Sequence, residues 1–212
     1  VERDLRLAEL TGVHYHVSNV STKETVEVIK RAKLNGIKIT CDTSPPYFSL
    51  NELELSTYDT SFKLSPPLRN EEDRIAIQNA IFDDTIDVIT SDHKPMSNDT
   101  KILPFTSAST GASGIETLLP LTLNLLNKSD VSIMNILKKI TLNPSKLLKV
   151  EIPKIKSNEK ANFIIFDPNE QYLINKDTLQ TSPTPFHGRP VQGKNYMSMM
   201  NGKIVFDNLD LL

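Results

Sequence analysis

The feature that most narrows the possible folds is an alternation of amphipathic and β-branched segments running through residues 1–92. Leu5, Leu7, Ala8 and Leu10 are spaced for one face of a helix that stops at Gly12. Residues 13–20 read as a strand by their β-branched and aromatic content. Ser21-Thr22-Lys23-Glu24 has the form of a capping box, in which a hydroxyl accepts from an early helix N–H and Glu24 reaches back. The helix it opens carries Val26, Ile29 and Ala32 on one face and ends at Asn35-Gly36. Residues 37–41 form the next strand, broken by Pro45-Pro46. The paired prolines in residues 62–69 forbid a central strand there. Asn70 then caps a helix over 71–82, with acids in its first turn where the helix dipole favours them. Residues 87–92 are a short apolar strand that ends in a carboxylate, Asp92.

Such alternation implies parallel strands joined by right-handed crossovers, an α/β architecture. Residues 93–113 are loop-like, and 115–126, 133–140 and 144–148 read as helices. The pattern then changes. Segments 161–166, 172–174 and 197–206, the last around Asn201-Gly202, read as strands and a hairpin. The expected division is therefore 1–149 and a smaller β-rich part, 150–212.

Composition excludes several classes. A hydrophobic content of 38% supports a buried core and rules out wholesale disorder. A net charge of -2 argues against a nucleic-acid binder, which must offer cations to phosphates. A single cysteine, Cys41, excludes an intrachain disulfide framework and fits a reducing, cytoplasmic setting. No apolar run approaches the roughly 20 residues of a bilayer span, so no membrane is expected as a partner. The start, VERDLRLAEL, is charged and amphipathic, unlike a signal peptide, and the missing initial Met suggests a piece of a longer chain.

Few residues invite chemistry on their own. His14 and His16 share one face of a strand and could reach one metal ion, but a packed, hydrogen-bonded pair is the favoured reading. Asp92 and His93 follow a strand, where α/β folds place their sites; capping the following turn would explain the same aspartate. Ser44, Ser65 and Ser91 lack a G-x-S-x-G frame. Cys41, on a strand, reads as a small buried hydrophobe. Gly111-Ala-Ser-Gly114 could present backbone N–H groups to an anion, but a helix start explains it equally.

Eight segments taken in order carry a resemblance that single motifs do not. They are HVSNVST (16–22), FKLSPPLRNEEDR (62–74), DVITSDHKP (87–95), GASGIETLLPL (111–121), TLNPSKLL (141–148), ANFIIFDP (161–168), TPFHGRPVQGK (184–194) and MNGKIVF (200–206). Together they resemble the C-terminal half of a dihydroorotase of the amidohydrolase superfamily, of the type that often associates with aspartate transcarbamoylase. The resemblance implies a (β/α)8 TIM barrel, of which this piece supplies about the last three strands, plus part of a small flanking β-sandwich. It also places the family's first-strand H-x-H before Val1, so His14-Tyr15-His16 is not that pair. Three barrel strands cannot close, so exposed sheet edges are expected.

What the resemblance implies for the site depends on where this chain departs from it. The family's H-V-S-H-V-S-T, whose second His binds metal, has Asn19 here, a poor substitute for imidazole. N-P-P-L-R becomes Ser65-Pro-Pro-Leu-Arg69, D-H-A-P-H becomes Asp92-His-Lys-Pro-Met96, and T-P-H-H becomes Ser44-Pro-Pro-Tyr47. The P-F-G that would touch substrate reads Ser109-Thr-Gly111. By resemblance, Asp92 is metal ligand and proton shuttle, Asn19 stands at a ligand position, and Ser65, Met96 and Gly111 stand at substrate positions. Scaffold motifs such as Pro66-Pro67, Gly114-Ile-Glu116 and Gly188-Arg189 are kept.

Two functions follow from the resemblance. One is a catalytically degenerate, dihydroorotase-like protein of de novo pyrimidine biosynthesis, with zinc absent or weakly bound. It would act as a non-catalytic partner of aspartate transcarbamoylase or as a homo-oligomer. The other is an active metal-dependent dihydroorotase, converting dihydroorotate to carbamoyl aspartate, whose remaining ligands lie upstream of residue 1.

Overall fold

The structure is a computed structural model that describes residues 1–152, 154–175 and 183–209. Helix α1 (Glu2–Thr11) buries Leu5 and Ala8 and closes on Gly12, whose left-handed backbone (φ 68) lets its N–H reach the Ala8 carbonyl. Strand β1 (Tyr15–Val17) leads to α2 (Lys23–Leu34), which buries Val26, Ile29 and Ala32. The cap of α2 is Thr22, whose hydroxyl accepts from the Thr25 N–H. A second cap comes from elsewhere in the chain. The Asp73 carboxylate accepts from the Lys23 N–H at 2.7 Å, tying the starts of two helices together.

Strand β2 (Ile39–Thr43) is followed by a short helix, α3 (Pro45–Ser49), where the proline pair sits in the first turn and needs no N–H partners. The stretch up to 62 forms 3-10 turns at Glu52–Thr57 and Thr60–Phe62. Asn70 caps α4 (Glu71–Phe82) through the Asp73 N–H, at the bounds that the sequence suggests. Strand β3 (Val88–Ile89) then joins a parallel three-stranded sheet in the order β1-β2-β3. Ile29, Ile77, Ile81, Ile86 and Ile136 are fully buried in the core beside this sheet.

β1 and β3 are shorter than their sequence patterns, and β2 is shifted by two residues from the expected 37–41. β1 stops before Asn19, whose φ of 55 leaves the extended region, and β3 stops before Asp92, at φ 44. β1 and β3 are the outer strands of this sheet.

The loop after β3 contains one helical turn, α5 (Asn98–Lys101). Helix α6 (Leu118–Leu123) starts later than the sequence suggests and tightens to a 3-10 turn at Asn124–Lys128. Just before it, the Gly114 and Ile115 N–H groups donate to His93 Nδ1. Helices α7 (Ile133–Ile140) and α8 (Leu142–Leu148) complete the helical part.

A separate antiparallel sheet follows, β4-β5-β6. The two strand segments expected within 161–174 are one strand, β4 (Phe163–Leu173), with irregular pairing between Asp167 and Gln171. β5 (Pro190–Met200) and β6 (Lys203–Asp207) turn on Asn201-Gly202, both at positive φ, the hairpin chemistry expected of that dipeptide. Ile174, Phe186 and Val191 from this region share a core with Leu50, Leu64, Ala112 and Leu121. Among the described residues no helix is long and apolar enough to cross a membrane.

At the start of α4, the Arg74 guanidinium and, secondarily, the Asn51 amide hold the Glu71 carboxyl down to about 2, from an ordinary 4.5. A carboxylate whose pKa is depressed on folding stabilises above its unfolded pKa, and the gain is lost as pH falls through the folded value. Glu71→Gln is therefore expected to narrow the difference between urea midpoints at pH 6 and pH 3. Equal pH sensitivity in both proteins would show that this pair contributes nothing, as many exposed pairs do.

Candidate functional site

The three strand exits of the parallel sheet meet at Asn19, Asp42 and Asp92. Asn19 is fastened on both sides. Its N–H donates to Asp42 Oδ1 at 2.8 Å, and its side-chain Nδ2 donates to Asp92 Oδ1 at 3.2 Å. Asparagine and aspartate are the residue types that best tolerate the left-handed backbone seen at positions 19 and 92. Asp42, buried at the end of β2, also takes His16 Nε2 at 2.9 Å and the Thr90 hydroxyl at 3.4 Å.

The histidine pair is absorbed into this framework. His16 Nδ1 lies 2.8 Å from Thr40 Oγ1, and His14 Nε2 lies 3.1 Å from the same hydroxyl. Cys41 is fully buried, and its thiol is pushed up to about 12, chiefly by burial, with Asp87 adding to the shift. That removes the thiolate a nucleophile would need near neutral pH.

Asp92 is only 11% exposed, and its Oδ1 also meets the Lys94 ammonium at 2.8 Å. Lys94 is held in place by the segment that follows. Its N–H donates to the Ala112 carbonyl at 2.9 Å. A Cβ on Gly111 (φ 128) would come within 2.7 Å of the Lys94 carbonyl and 3.1 Å of Met96 Cε. Gly111 and Met96 are thus neighbours, and Met96 fills space beside the 109–114 segment. Ser65 is exposed on the turn whose Pro66 carbonyl accepts from the Tyr47 hydroxyl at 2.9 Å. Burial raises the Tyr47 phenol well above its ordinary range, the Asp92 charge adds to this, and Arg69 opposes it. Leu64, Pro46, Ser113 and Phe186 border a cavity of about 10 Å³ beside Asp92, close to the smallest that can hold a single water.

The backbone N–H groups of Gly111, Ser113, Gly114 and Ile115 are spent within the protein. Gly111 donates to Lys63, Ser113 to Pro183, and Gly114 and Ile115 to His93. The anion-cradle reading of Gly111-Ala-Ser-Gly114 therefore loses most of its donors. The sequence reading named Lys94 and Tyr47 only inside altered motifs, with no role, and missed Asp42 altogether. For Asp42, the period-2 spacing with Thr40 and across to His16 was the available signal; for Lys94, only its place two residues after Asp92 was.

The residues present do not fit a divalent metal. Asp92 Oδ1 already faces two donors, one of them an ammonium, and Asn19 turns its amide nitrogen toward that oxygen. The Asn19 amide oxygen is buried without a hydrogen-bond partner among the described residues, yet a single neutral oxygen is a weak ligand. No three His, Cys, Asp or Glu side chains among the described residues are grouped to hold a metal.

A parallel α/β sheet with a polar cluster at its strand exits is the arrangement of many α/β enzyme sites, and comparison names the family. The amidohydrolase family matches residues 1–205, and the chain belongs to that family. Within it, the chain is 37% identical over 209 residues to the dihydroorotase of Anaplasma phagocytophilum (strain HZ), covering 97% of this chain and 47% of that protein. The L-hydantoinase (dihydropyrimidinase) from Arthrobacter aurescens superposes with a TM-score of 0.89 at 26% identity, over 100% of this chain and 49% of its own. The inactive dihydroorotase-like domain of the Chaetomium thermophilum CAD-like multifunctional protein matches at TM-score 0.70 and 18% identity, over 97% and 55%, which bears on the fold alone. The chain spans about half the length of the curated relatives it matches.

Proposed function

We propose that this chain is the C-terminal part of a dihydroorotase-like protein of de novo pyrimidine biosynthesis whose catalytic site is degenerate. In this reading residues 1–149 supply about the last three strands of a (β/α)8 barrel, and 150–212 contribute to a flanking β-sandwich. The protein acts in the cytoplasm as a non-catalytic partner of aspartate transcarbamoylase. Asp92, Asn19, Ser65, Met96 and Gly111 mark the positions of a former metal and substrate site, with zinc absent or weakly held.

The observation that carries this reading is the engagement of Asp92 by Lys94 and Asn19. Cyclic-amide hydrolysis in this family needs a metal to generate hydroxide near neutral pH, and a free carboxylate to carry the proton to the leaving nitrogen. Here that carboxylate's inner oxygen is paired inside the chain. The names of the relatives favour a second reading, an active dihydroorotase, since many enzymes tolerate a changed ligand.

The test uses the full-length protein with aspartate transcarbamoylase in sedimentation velocity, alongside dihydroorotate turnover at saturating zinc. A complex without turnover is the expected result. No mass shift would remove the partner role. Turnover with one equivalent of zinc, lost on Asp92→Ala, would establish the active enzyme instead.

A further inference from the structure

A carboxylate as sheltered as Asp92, at 11% exposure, persists only with a compensating charge or enough donors around it. The donors on Oδ1 are the Asn19 amide at 3.2 Å and the Lys94 ammonium at 2.8 Å. The lysine is not placed there by chance of a loose loop. Its backbone is bound through its own N–H to Ala112, and its carbonyl lies against Gly111, so closely that a Cβ there would collide. What remains free is the side-chain stem, and its head lies on the carboxylate. Pro95 follows directly and restricts the backbone of Lys94 further.

We propose that Lys94 is a built-in replacement for a metal cation at Asp92, neutralising the carboxylate and closing this strand end to divalent ions. The inference rests on the reading of position 92 as a former ligand position, and on no other part of the proposed function. The physical basis is competition at one oxygen. A divalent ion reaching Asp92 Oδ1 must first expel an ammonium already within ion-pair distance, because two cations on one oxygen repel strongly in a sheltered site. Lys94 is itself 48% exposed, so it can swing out, and the exclusion is a competition of affinities. The same pairing accounts for an aspartate kept at a left-handed position without a catalytic role. The sheltered Asp92 needs the charge of Lys94, whereas the half-exposed Lys94 can turn to water.

The experiment is a double-mutant cycle in the full-length protein with Lys94→Met, Asp92→Asn and the pair combined, read by urea unfolding and by zinc content after equilibration and desalting. Lys94→Met keeps the length of the stem and removes the charge. The two sites are expected to couple by about tenfold in the unfolding equilibrium constant, the double variant recovering most of what Lys94→Met loses. Lys94→Arg, which keeps the charge, should stay close to the parent. The parent is expected to retain well under one zinc per chain at position 92. Lys94→Met should bind zinc about tenfold more tightly than the parent, and Asp92→Asn should abolish that gain.

Additive effects in the cycle would overturn the proposal, as would a parent that retains one zinc sensitive to Asp92→Asn. If Lys94→Met does not fold, folding of the combined variant supports the charge pairing. Failure of the combined variant as well assigns Lys94 to packing and overturns it. Loss of the transcarbamoylase complex leaves this inference standing, whereas an additive cycle removes it and leaves the partner role untouched.

Discussion

Replacing Gly114 with alanine is expected to lower stability by about 2–3 kcal/mol, the upper part of the range for forcing a group into filled space. A Cβ at this position would lie 2.1 Å from the Ser91 carbonyl oxygen, which is backbone and cannot rotate away. The same close approach sets the hydrogen bonds from the Gly114 and Ile115 N–H groups to His93, so the variant should also loosen the segment next to Asp92. Urea denaturation gives the stability change, and hydrogen exchange at Ile115 reports the local loosening. Gly36→Ala is the control. It sits at φ 76 with nothing within 4 Å of a new Cβ, so it should cost only backbone strain, about 1 kcal/mol. Equal effects of the two substitutions would mean that the 111–114 segment does not press on the strand exit.

Asp42→Ala is expected to cost about 3 kcal/mol, because it leaves the part-buried Asn19 N–H and His16 Nε2 without their acceptor, while the Thr90 hydroxyl keeps the Thr43 carbonyl. The Asn19 N–H, His16 Nε2 and the Thr90 hydroxyl all converge on this one carboxylate. The Asn19 bond is also what holds that residue at φ 55. Its loss should release the Asn19 side chain from Asp92, visible as accelerated amide exchange at Asn19 and Val20. Asp42→Asn keeps the volume and one acceptor oxygen and should recover part of the loss. A change below about 0.5 kcal/mol for Asp42→Ala would place it with ordinary surface substitutions and remove it from the framework of the site.

Much of the local architecture was legible before any coordinates. Asn70 and the acids after it mark α4 to its observed bounds, and Asn201-Gly202 marks the β5–β6 turn. Both depend on neighbours in sequence. A side-chain oxygen reaches an N–H in the next turn, and a left-handed dipeptide sets its own hairpin. Short strands were harder. β3 is only Val88–Ile89, since pairing exists only where a neighbouring strand presents itself. The merging of 161–166 with 172–174 into β4 has the same cause: the long partner β5 pairs across the irregular stretch.

The cluster around Asp92 was half legible. Asp92 and Asn19 stood out by resemblance to a family pattern, and Ser65, Met96 and Gly111 by the same route. The contacts that give Asp92 its character were not legible. Asn19 is far from it in sequence, and Lys94 could equally have pointed to solvent. The Asp73 carboxylate on the Lys23 N–H is a further case, a cap supplied by a different helix.

The sequence alone therefore determined the capped starts of α2 and α4, the hairpin, the order of α and β segments and the family likeness, because capping, turn chemistry and hydrophobic period act over a few neighbouring residues. The tertiary structure decided which oxygen of Asp92 is taken and by what. That depends on three strand exits and the 111–114 segment being brought to one place. Only there can an ammonium and an amide compete with a metal for the same lone pairs.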